Sequence, residues 1–148
     1  MWTYEHSQTS SAGIADVFAL LSDVAGWPEW NHGVDSVSLD GPFAAGTRGV
    51  MAMPGEEPVS FRLTWVDPGS GFEDETELPE AGVVVRVRHI IEALPEGGTR
   101  ITYRATIDGS AADEVGPEIG PAITADFPAV IAALAERAEA AHAAPTPG

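Results

Sequence analysis

The stretch VVVRVRHIIEALPEGGTRITYRATIDG, residues 83–109, predicts two long β-strands joined by a turn at Gly97 and Gly98. Apolar and polar side chains alternate along both halves, as they do in strands that bury one face and expose the other. The apolar face is interrupted twice, by His89 in the first strand and by Tyr103 in the second. Because buried polar groups need hydrogen-bond partners, an inner face that carries such residues predicts a lined pocket.

Hairpin geometry places a third polar side chain beside these two. If the linkers PEAG and LPEGG each close a hairpin, Phe72 faces His89, and His89 faces Tyr103 on the same side of the sheet. Asp74 then lies diagonally across from His89, at a distance that a long side chain can span. The pattern therefore predicts that Asp74, His89 and Tyr103 project together from the inner face.

These three residue types suit proton-transfer chemistry. A histidine gains and loses a proton near neutral pH, and a neighbouring aspartate can fix its tautomer. A tyrosine hydroxyl can donate a hydrogen bond to a substrate carbonyl and stabilise an enolate. Two alternatives stay open at this point: His89 and Tyr103 can be hydrogen-bonded core residues, and a β-bulge would turn Asp74 to the outer face.

Composition narrows the classes of partner and cofactor. The 148-residue chain has a net charge of −16, from 23 acidic residues against 7 basic residues that are all arginines, which disfavours nucleic acids and anionic membrane surfaces. The absence of cysteine excludes disulfides, thiolate metal sites and a cysteine nucleophile. The histidines are dispersed and no nucleotide, flavin or phosphate-loop motif occurs, so we predict no metal and no cofactor. No run resembles a membrane span or a signal peptide, and we expect a cytoplasmic protein without membrane insertion.

The order of patterns predicts one curved antiparallel sheet and one long helix. Gly- and Pro-rich breaks separate runs of alternating polarity, which indicates a meander of strands with short links. A strand is expected over residues 2–8, a helix over 12–22, and a short helix or irregular turn over 23–33. The later elements are expected to be strands over 34–40, 46–53, 58–67, 71–78, 83–94 and 99–108, then a helical segment over 112–143 with a bend near residues 126–128. Two arrangements fit the bend: a single helix kinked at Pro128, or a second helix that Asp126 caps and that has Pro128 in its first turn.

In this order of elements the chain resembles the helix-grip fold of the START and Bet v 1-like (SRPBCC) superfamily, and more narrowly its polyketide cyclase/dehydrase-like branch. The matching stretches are GWPEWNHGVDSVSLDG at 26–41, GTRGVMAMPG at 46–55, FEDETELP at 72–79, RHIIEALPEGGTRITYRATI and GPEIGPAITADFPAVIAALAERAEAA. The resemblance implies an α+β fold in which a curved antiparallel sheet of about seven strands wraps around a long C-terminal helix, with two short helices after strand 1. The expected domain covers residues 1–144, followed by a disordered tail at 145–148.

The resemblance also implies a cavity that binds a bulky apolar or aromatic small molecule. The expected lining consists of apolar and aromatic residues from the strands, the short helices and the C-terminal helix: Trp27, Trp30, Met51, Met53, Phe61, Leu63, Trp65, Phe72, Thr76 and Phe127. Flexible methionines suit an adaptable ligand wall, but core filling accounts for such residues equally well.

Three functions follow from these observations. The first is a cofactor-independent cyclase or dehydratase for a polyketide-like or aromatic substrate, with His89, Tyr103 and Asp74 as its catalytic residues. The second is a non-catalytic binding or carrier protein for a hydrophobic small molecule, whose affinity survives mutation of His89. The third is an interaction module in which the cavity is incidental and the acidic surface meets a partner. The protein is expected to be a monomer or a homodimer.

Overall fold

The computed structural model describes residues 1–143, so residue 144 and the predicted tail at 145–148 lie outside the described residues. Strand β1 (Trp2–Ser10) is followed by helix α1 (Ile14–Ser22), a 3-10 turn (Val24–Gly26) and helix α2 (Trp27–Trp30). The remaining elements are β2 (Ser36–Leu39), β3 (Arg48–Ala52), β4 (Val59–Asp67), β5 (Gly71–Leu78), β6 (Val83–Ala93), β7 (Thr99–Asp108), α3 (Ala112–Thr124) and α4 (Phe127–Ala143).

The seven strands form one antiparallel sheet in the order β1-β7-β6-β5-β4-β3-β2. Strands β2 to β7 follow one another as the short links predict, and β1 lies at the edge of the sheet beside β7. The predicted hairpin registers are confirmed, because Phe72 pairs with His89 and His89 pairs with Tyr103. The inner face of the sheet closes on α4, whose Ile131 and Leu134 are fully buried. This is the predicted helix-grip architecture.

Of the two arrangements predicted near Pro128, the structure has the break between two helices. Helix α4 begins at Phe127, shortly after α3 ends, and Pro128 therefore lies in a first turn, where its missing N–H needs no partner. Helix α4 packs in the main core, whereas α3 covers a smaller cluster that contains Val83, Val85 and Ile107. The C-terminal region thus covers two apolar clusters with two separate helices.

By length and mean hydropathy alone, residues 112–141 could cross a membrane, contrary to the expectation that no such run exists. The mean hydropathy of the stretch reaches 1.3, and 39% of the apolar window is buried inside the protein. In the fold this stretch is α3 and most of α4. Its apolar face packs on the sheet, which accounts for the high hydropathy.

Some element boundaries differ from the predicted ones. Helix α1 begins at Ile14 rather than at residue 12, because the amide of Ala12 bonds to Ser10 Oγ at 3.2 Å and Gly13 is extended. Strand β2 covers Ser36–Leu39 rather than 34–40. These differences lie at element ends, where local hydrogen bonds compete with the repeating pattern.

A β-bulge in β4 changes the face of one predicted cavity residue. The pairing with β5 shifts so that Leu63 pairs with Asp74 while Trp65 pairs with Glu73. A bulge interrupts the strict alternation of faces. Leu63 stays on the inner face, but Trp65 lies on the outer face, where the guanidinium carbon of Arg88 is 4.3 Å from the centre of its ring. The prediction that Trp65 lines the cavity is therefore wrong.

The outer face of the sheet carries cross-strand ion pairs, as the charge pattern suggests. Arg88 Nε lies 3.0 Å from a carboxylate oxygen of Glu73, and Arg86 Nε lies 2.9 Å from one of Glu75. Every arginine except Arg137 lies on a strand. The helices and loops are therefore left strongly acidic.

Candidate functional site

Four side chains form one row across the inner face of strands β5, β6, β7 and β1. The row runs Phe72, His89, Tyr103, His6, and each residue is the register partner of the next. The Phe72 ring stacks on the His89 imidazole with centroids 4.0 Å apart and planes inclined by 8°. Tyr103 meets the same imidazole edge-on, with centroids 4.4 Å apart. The structure therefore brings together the predicted His89 and Tyr103.

The hydrogen bonds of His89 define which nitrogen carries its proton. Nδ1 lies 3.3 Å from the carbonyl oxygen of Phe72, which can only accept, so Nδ1–H donates. In the neutral ring Nε2 then keeps its lone pair, and it lies 3.9 Å from Oδ2 of Asp74. We expected Asp74 to fix the tautomer of His89. Instead the Phe72 carbonyl fixes it, and Asp74 faces the unprotonated nitrogen.

A glycine at the start of β5 allows this close approach. Gly71 has a φ of 128°, in a region that side-chain-bearing residues rarely adopt, and a Cβ there would overlap the carbonyl oxygen of His89. Only glycine lets β5 lie this close to β6. The position of the Phe72 carbonyl relative to the imidazole follows from that contact.

Burial moves the pKa values of the three predicted catalytic residues and changes their expected roles. Burial lowers the pKa of His89 to about 3, only partly offset by its backbone hydrogen bond. Burial, together with the charge of Glu73, raises the pKa of Asp74 to about 7. Burial and the carboxylates of Asp74 and Asp126 raise the pKa of Tyr103. The group that titrates near neutral pH is therefore Asp74, while His89 and Tyr103 stay neutral.

Of the trio Asp74, His89 and Tyr103, Asp74 is also the residue that a substrate can reach most readily. Its side chain is 22% exposed, against 11% for that of His89, and Tyr103 is buried. Its neighbours on the inner face, Thr76 and Val87, are half-buried. Asp74 is thus the most exposed of the three residues.

Most of the predicted lining residues belong to the packed core. The rings of Trp27 and Phe72 stack with centroids 5.8 Å apart, and Trp27 Nε1 donates to the carbonyl of Leu21 at 3.0 Å. Phe72 is fully buried. The other predicted residues on the inner side divide by burial: Trp30, Phe61, Leu63 and Phe127 are buried, whereas Met51, Met53 and Thr76 are half-buried.

Two cavities among the described residues lie away from the trio. One, of about 310 Å³, lies between β1 and the break in the C-terminal helices and is lined by Trp2, Tyr4, Pro121, Thr124 and Ala125. The other, of about 250 Å³, is an open depression on the outer face of the sheet, lined by Arg48, Ser60, Phe61, Arg62, Glu75, Glu77 and Pro79. Of the predicted ligand residues, Phe61 alone lines either of these two cavities.

Residues of β1 take part in the site although we assigned them no role from the sequence. Gln8 Nε2 lies 3.0 Å from His6 Nε2 and donates to the carbonyl of Pro128 at 2.9 Å. These bonds connect the row to the first turn of α4. The signal was present in the sequence, since Trp2, Tyr4 and His6 alternate onto one face.

Comparison with known families assigns the chain to one family. The sequence matches, over residues 1–139, the family described as polyketide cyclase / dehydrase and lipid transport. The chain belongs to this family. The polyketide cyclase/dehydrase family spans both catalysis and transport by its own description, so membership leaves the choice between them to the site. No curated protein sequence matches the chain.

Solved structures with the same fold superpose on most of the chain. Ara h 8.0201 is 18% identical and covers 92% of this chain and 96% of its own, with a TM-score of 0.73. Norcoclaurine synthase from Thalictrum flavum is 16% identical and covers 90% and 84%, with a TM-score of 0.70. The di-domain ARO/CYC StfQ from the steffimycin biosynthetic pathway is 13% identical and covers 93% and 50%, with a TM-score of 0.73. At these identities the likeness confirms the Bet v 1-like helix-grip fold and transfers no chemistry.

Proposed function

We propose that this member of the polyketide cyclase/dehydrase family is a cofactor-independent cyclase or dehydratase that acts on a polyketide-like or aromatic substrate. The observation that carries the proposal is the pair of Asp74 and His89, in which a carboxyl with a pKa of about 7 faces the lone pair of a neutral imidazole. General acid–base catalysis is most efficient when the pKa of the catalytic group lies near the working pH. With Tyr103, whose ring meets the imidazole edge-on, the pair combines a carboxyl that can act as acid and as base with an oxyanion donor.

In the proposed reaction, the Asp74 carboxylate removes a proton from a carbon between two carbonyl groups of the substrate. The Tyr103 hydroxyl, kept protonated by its raised pKa, donates a hydrogen bond to the enolate oxygen that forms. The enolate carbon then bonds to a second carbonyl carbon, and the resulting alkoxide takes the proton back from Asp74. For dehydration, Asp74 removes a second carbon-bound proton and delivers it to the hydroxyl group, which leaves as water when its C–O bond breaks.

His89 acts through Asp74 in this mechanism. Its pKa of about 3 makes it too weak a base to hold the substrate proton. Its Nε2 lone pair can accept a hydrogen bond from the protonated Asp74 carboxyl once a small side-chain rotation shortens the present 3.9 Å separation. We therefore assign His89 as the residue that orients the Asp74 proton, and Asp74 as the acid and base.

The test is a mass-spectrometric turnover assay on a panel of poly-β-ketone and hydroxy-ketone mimics. Asp74→Asn should reduce the rate by at least about a hundredfold, the usual contribution of a general acid–base group. Glu77→Gln is the matched control, because Glu77 is exposed and lies on the other face of the same strand. Turnover by Asp74→Asn at the wild-type rate would refute the mechanism.

A non-catalytic binding or carrier protein for a hydrophobic small molecule is the second candidate. The family description, which includes lipid transport, supports it. The packing of Phe72 between Trp27 and His89 argues against catalysis, since neither described cavity includes Asp74, His89 or Tyr103. In that case native mass spectrometry of the same samples detects bound mimics without product, and Asp74→Asn retains them. The cytoplasmic location, the lack of a cofactor and the monomeric or homodimeric state stay predictions.

A further inference from the structure

The groove between β1 and the break in the C-terminal helices is separate from the proposed catalytic row. Its lining residues are Trp2 and Tyr4 from β1 and Pro121, Thr124 and Ala125 from the end of α3. The Phe127 ring lies between the groove and the row, with its centroid 6.1 Å from that of Tyr4 and 5.6 Å from that of Tyr103. A molecule in the groove would therefore lie behind Phe127 and away from Asp74.

Two glycines and a helix end shape this groove. A Cβ on Gly116 or Gly120 would come within 2.6 Å of Trp2, so only glycine lets α3 lie directly on the indole. The helix then ends at Thr124, next to the half-buried ring of Tyr4. The result is an open groove of about 310 Å³ with one aromatic wall.

The wall offers flat aromatic surface and few polar atoms. The rings of Trp2 and Tyr4 are nearly parallel, inclined by 13° with centroids 6.4 Å apart. The Thr124 hydroxyl donates to the Gly120 carbonyl at 3.0 Å, which leaves its oxygen free to accept a second hydrogen bond. Within residues 1–143, the Tyr4 hydroxyl has no hydrogen-bond partner and can donate to a ligand. No lining residue is charged.

We propose that this groove is a second binding site, for a neutral planar aromatic molecule of about two fused rings that bears a hydroxyl or carbonyl group. The volume lies at the lower end of the range for small-molecule sites, and the parallel rings favour a flat ligand by stacking. An anion would meet no counter-charge in the groove and would approach a chain of net charge −16. The single hydroxyl donor at Tyr4 matches one polar group on the ligand.

The test uses 2-naphthol as the probe and isothermal titration calorimetry of the full chain. Ala125→Phe should fill the groove and weaken binding by at least about tenfold, equivalent to about 1.4 kcal/mol. Ala122→Phe adds the same side chain at an exposed position of α3 outside the groove, and it should bind as the wild type does. Naphthalene-2-sulfonate, an anion of similar shape, should bind more weakly than 2-naphthol.

Several outcomes would overturn the proposal. No binding of 2-naphthol to the wild type up to about 1 mM excludes a site of useful affinity. Equal loss in both phenylalanine variants, or none in Ala125→Phe, places the probe elsewhere. If the wild type is a dimer that Ala125→Phe dissociates, a second copy of the chain occupies the groove instead. Asp74→Asn should bind 2-naphthol normally, so failure of the catalytic proposal leaves this one standing.

Discussion

Asp74 and His89 face each other across 3.9 Å, and one physical cause moves their pKa values in opposite directions. Burial disfavours the charged form of either group. The neutral form of a carboxyl carries a proton, so its pKa rises to about 7, whereas a neutral imidazole lacks one and its pKa falls to about 3. Between these two values the pair is uncharged and holds a proton on the carboxyl.

The raised pKa of Asp74 predicts that Asp74→Asn stabilises the protein at high pH. The unfolded carboxyl ionises near its usual pKa of 3.8 and the folded one near 7, so the wild type loses stability as pH rises through this window. We expect Asp74→Asn to unfold with a free energy higher by on the order of 2–4 kcal/mol at about pH 8, and similar to the wild type at about pH 3. Urea titrations followed by tryptophan fluorescence measure the difference.

Glu77→Gln again provides the control for Asp74→Asn, because the Glu77 carboxylate is exposed and loses little of its hydration on folding. It should change the unfolding free energy by less than about 0.5 kcal/mol at either pH. A destabilised Asp74→Asn protein at high pH would mean that the carboxylate is well solvated in the fold.

The lowered pKa of His89 predicts the opposite dependence on pH. As pH falls, the imidazole is protonated below about pH 6.5 in the unfolded protein, but only below about pH 3 in the folded protein. The stability of the folded state therefore falls as pH falls through that window. The loss amounts to at most about 5 kcal/mol. His89→Gln should flatten this decline, measured by urea titration in the Asp74→Asn background so that the carboxyl does not contribute. Parallel curves with and without His89 would contradict the assignment.

At this scale the sequence predicted which residues meet, and it could not predict their protonation. Alternation and linker length are local features, and they place Phe72, His89 and Tyr103 in register. The tautomer of His89 depends instead on the backbone carbonyl of Phe72, and its pKa depends on how completely α4 and the aromatic neighbours exclude water. Those are properties of tertiary packing.

Helix α3 contacts β1 at glycine residues instead of through interdigitating side chains. This predicts that a glycine-to-alanine substitution in α3 changes the unfolding free energy in the direction opposite to the usual one. Glycine to alanine inside a helix ordinarily stabilises by about 1 kcal/mol. At Gly120 the added Cβ would lie 2.6 Å from three atoms of the Trp2 ring, so Gly120→Ala should destabilise by about 1–3 kcal/mol through overpacking. Chemical denaturation gives the value.

The matched background for this substitution is Trp2→Leu, which removes the ring that the new methyl group would meet. Gly120→Ala made in that background should be neutral or stabilising. If it destabilises equally with and without the indole, the glycine is needed for a reason other than the contact with Trp2.

Element identities were predictable because polarity patterns of period two and of about 3.6 extend over whole segments. The break before Phe127 was predictable as well, since Pro128 cannot continue a helix without losing a hydrogen bond. The bulge at Leu63 and Trp65 was not, because a single extra residue leaves no mark in the alternation and is settled by pairing with β5. Whether the inner face encloses an open cavity also depends on side-chain packing, which a polarity pattern does not predict.

On the scale of the whole molecule, charge is unevenly distributed. The arginines are concentrated on the outer face of the sheet, while the helices and loops carry most of the 23 acidic residues. Carboxylates without counter-charge repel one another over roughly 30 Å at about 0.01 M salt, against roughly 10 Å at about 0.1 M. The excess of acidic residues therefore opposes folding most strongly in dilute buffer.

Salt should consequently stabilise the protein. Raising ionic strength from a few millimolar to about 0.15 M screens the repulsion, and we expect Tm to rise by several degrees. Differential scanning calorimetry measures the change. The ion pairs on the outer face weaken in salt too, but exposed pairs contribute only about 0.2–1 kcal/mol each. A Tm that falls with added salt would show that those pairs outweigh the repulsion.

The position of β1 in the sheet constrains the order of events during synthesis. This strand is synthesised before every other strand, yet its partner is β7, the last strand. Trp2 therefore cannot pair with Ile107, nor His6 with Tyr103, until β7 has been synthesised. The hairpins between can form as they emerge, whereas pairing between distant residues is slow. A chain that ends before residue 99 therefore lacks the partner of β1, and the aromatic rings of β1 have no neighbouring strand. The inner row is completed in one late step, when the first strand pairs with the last.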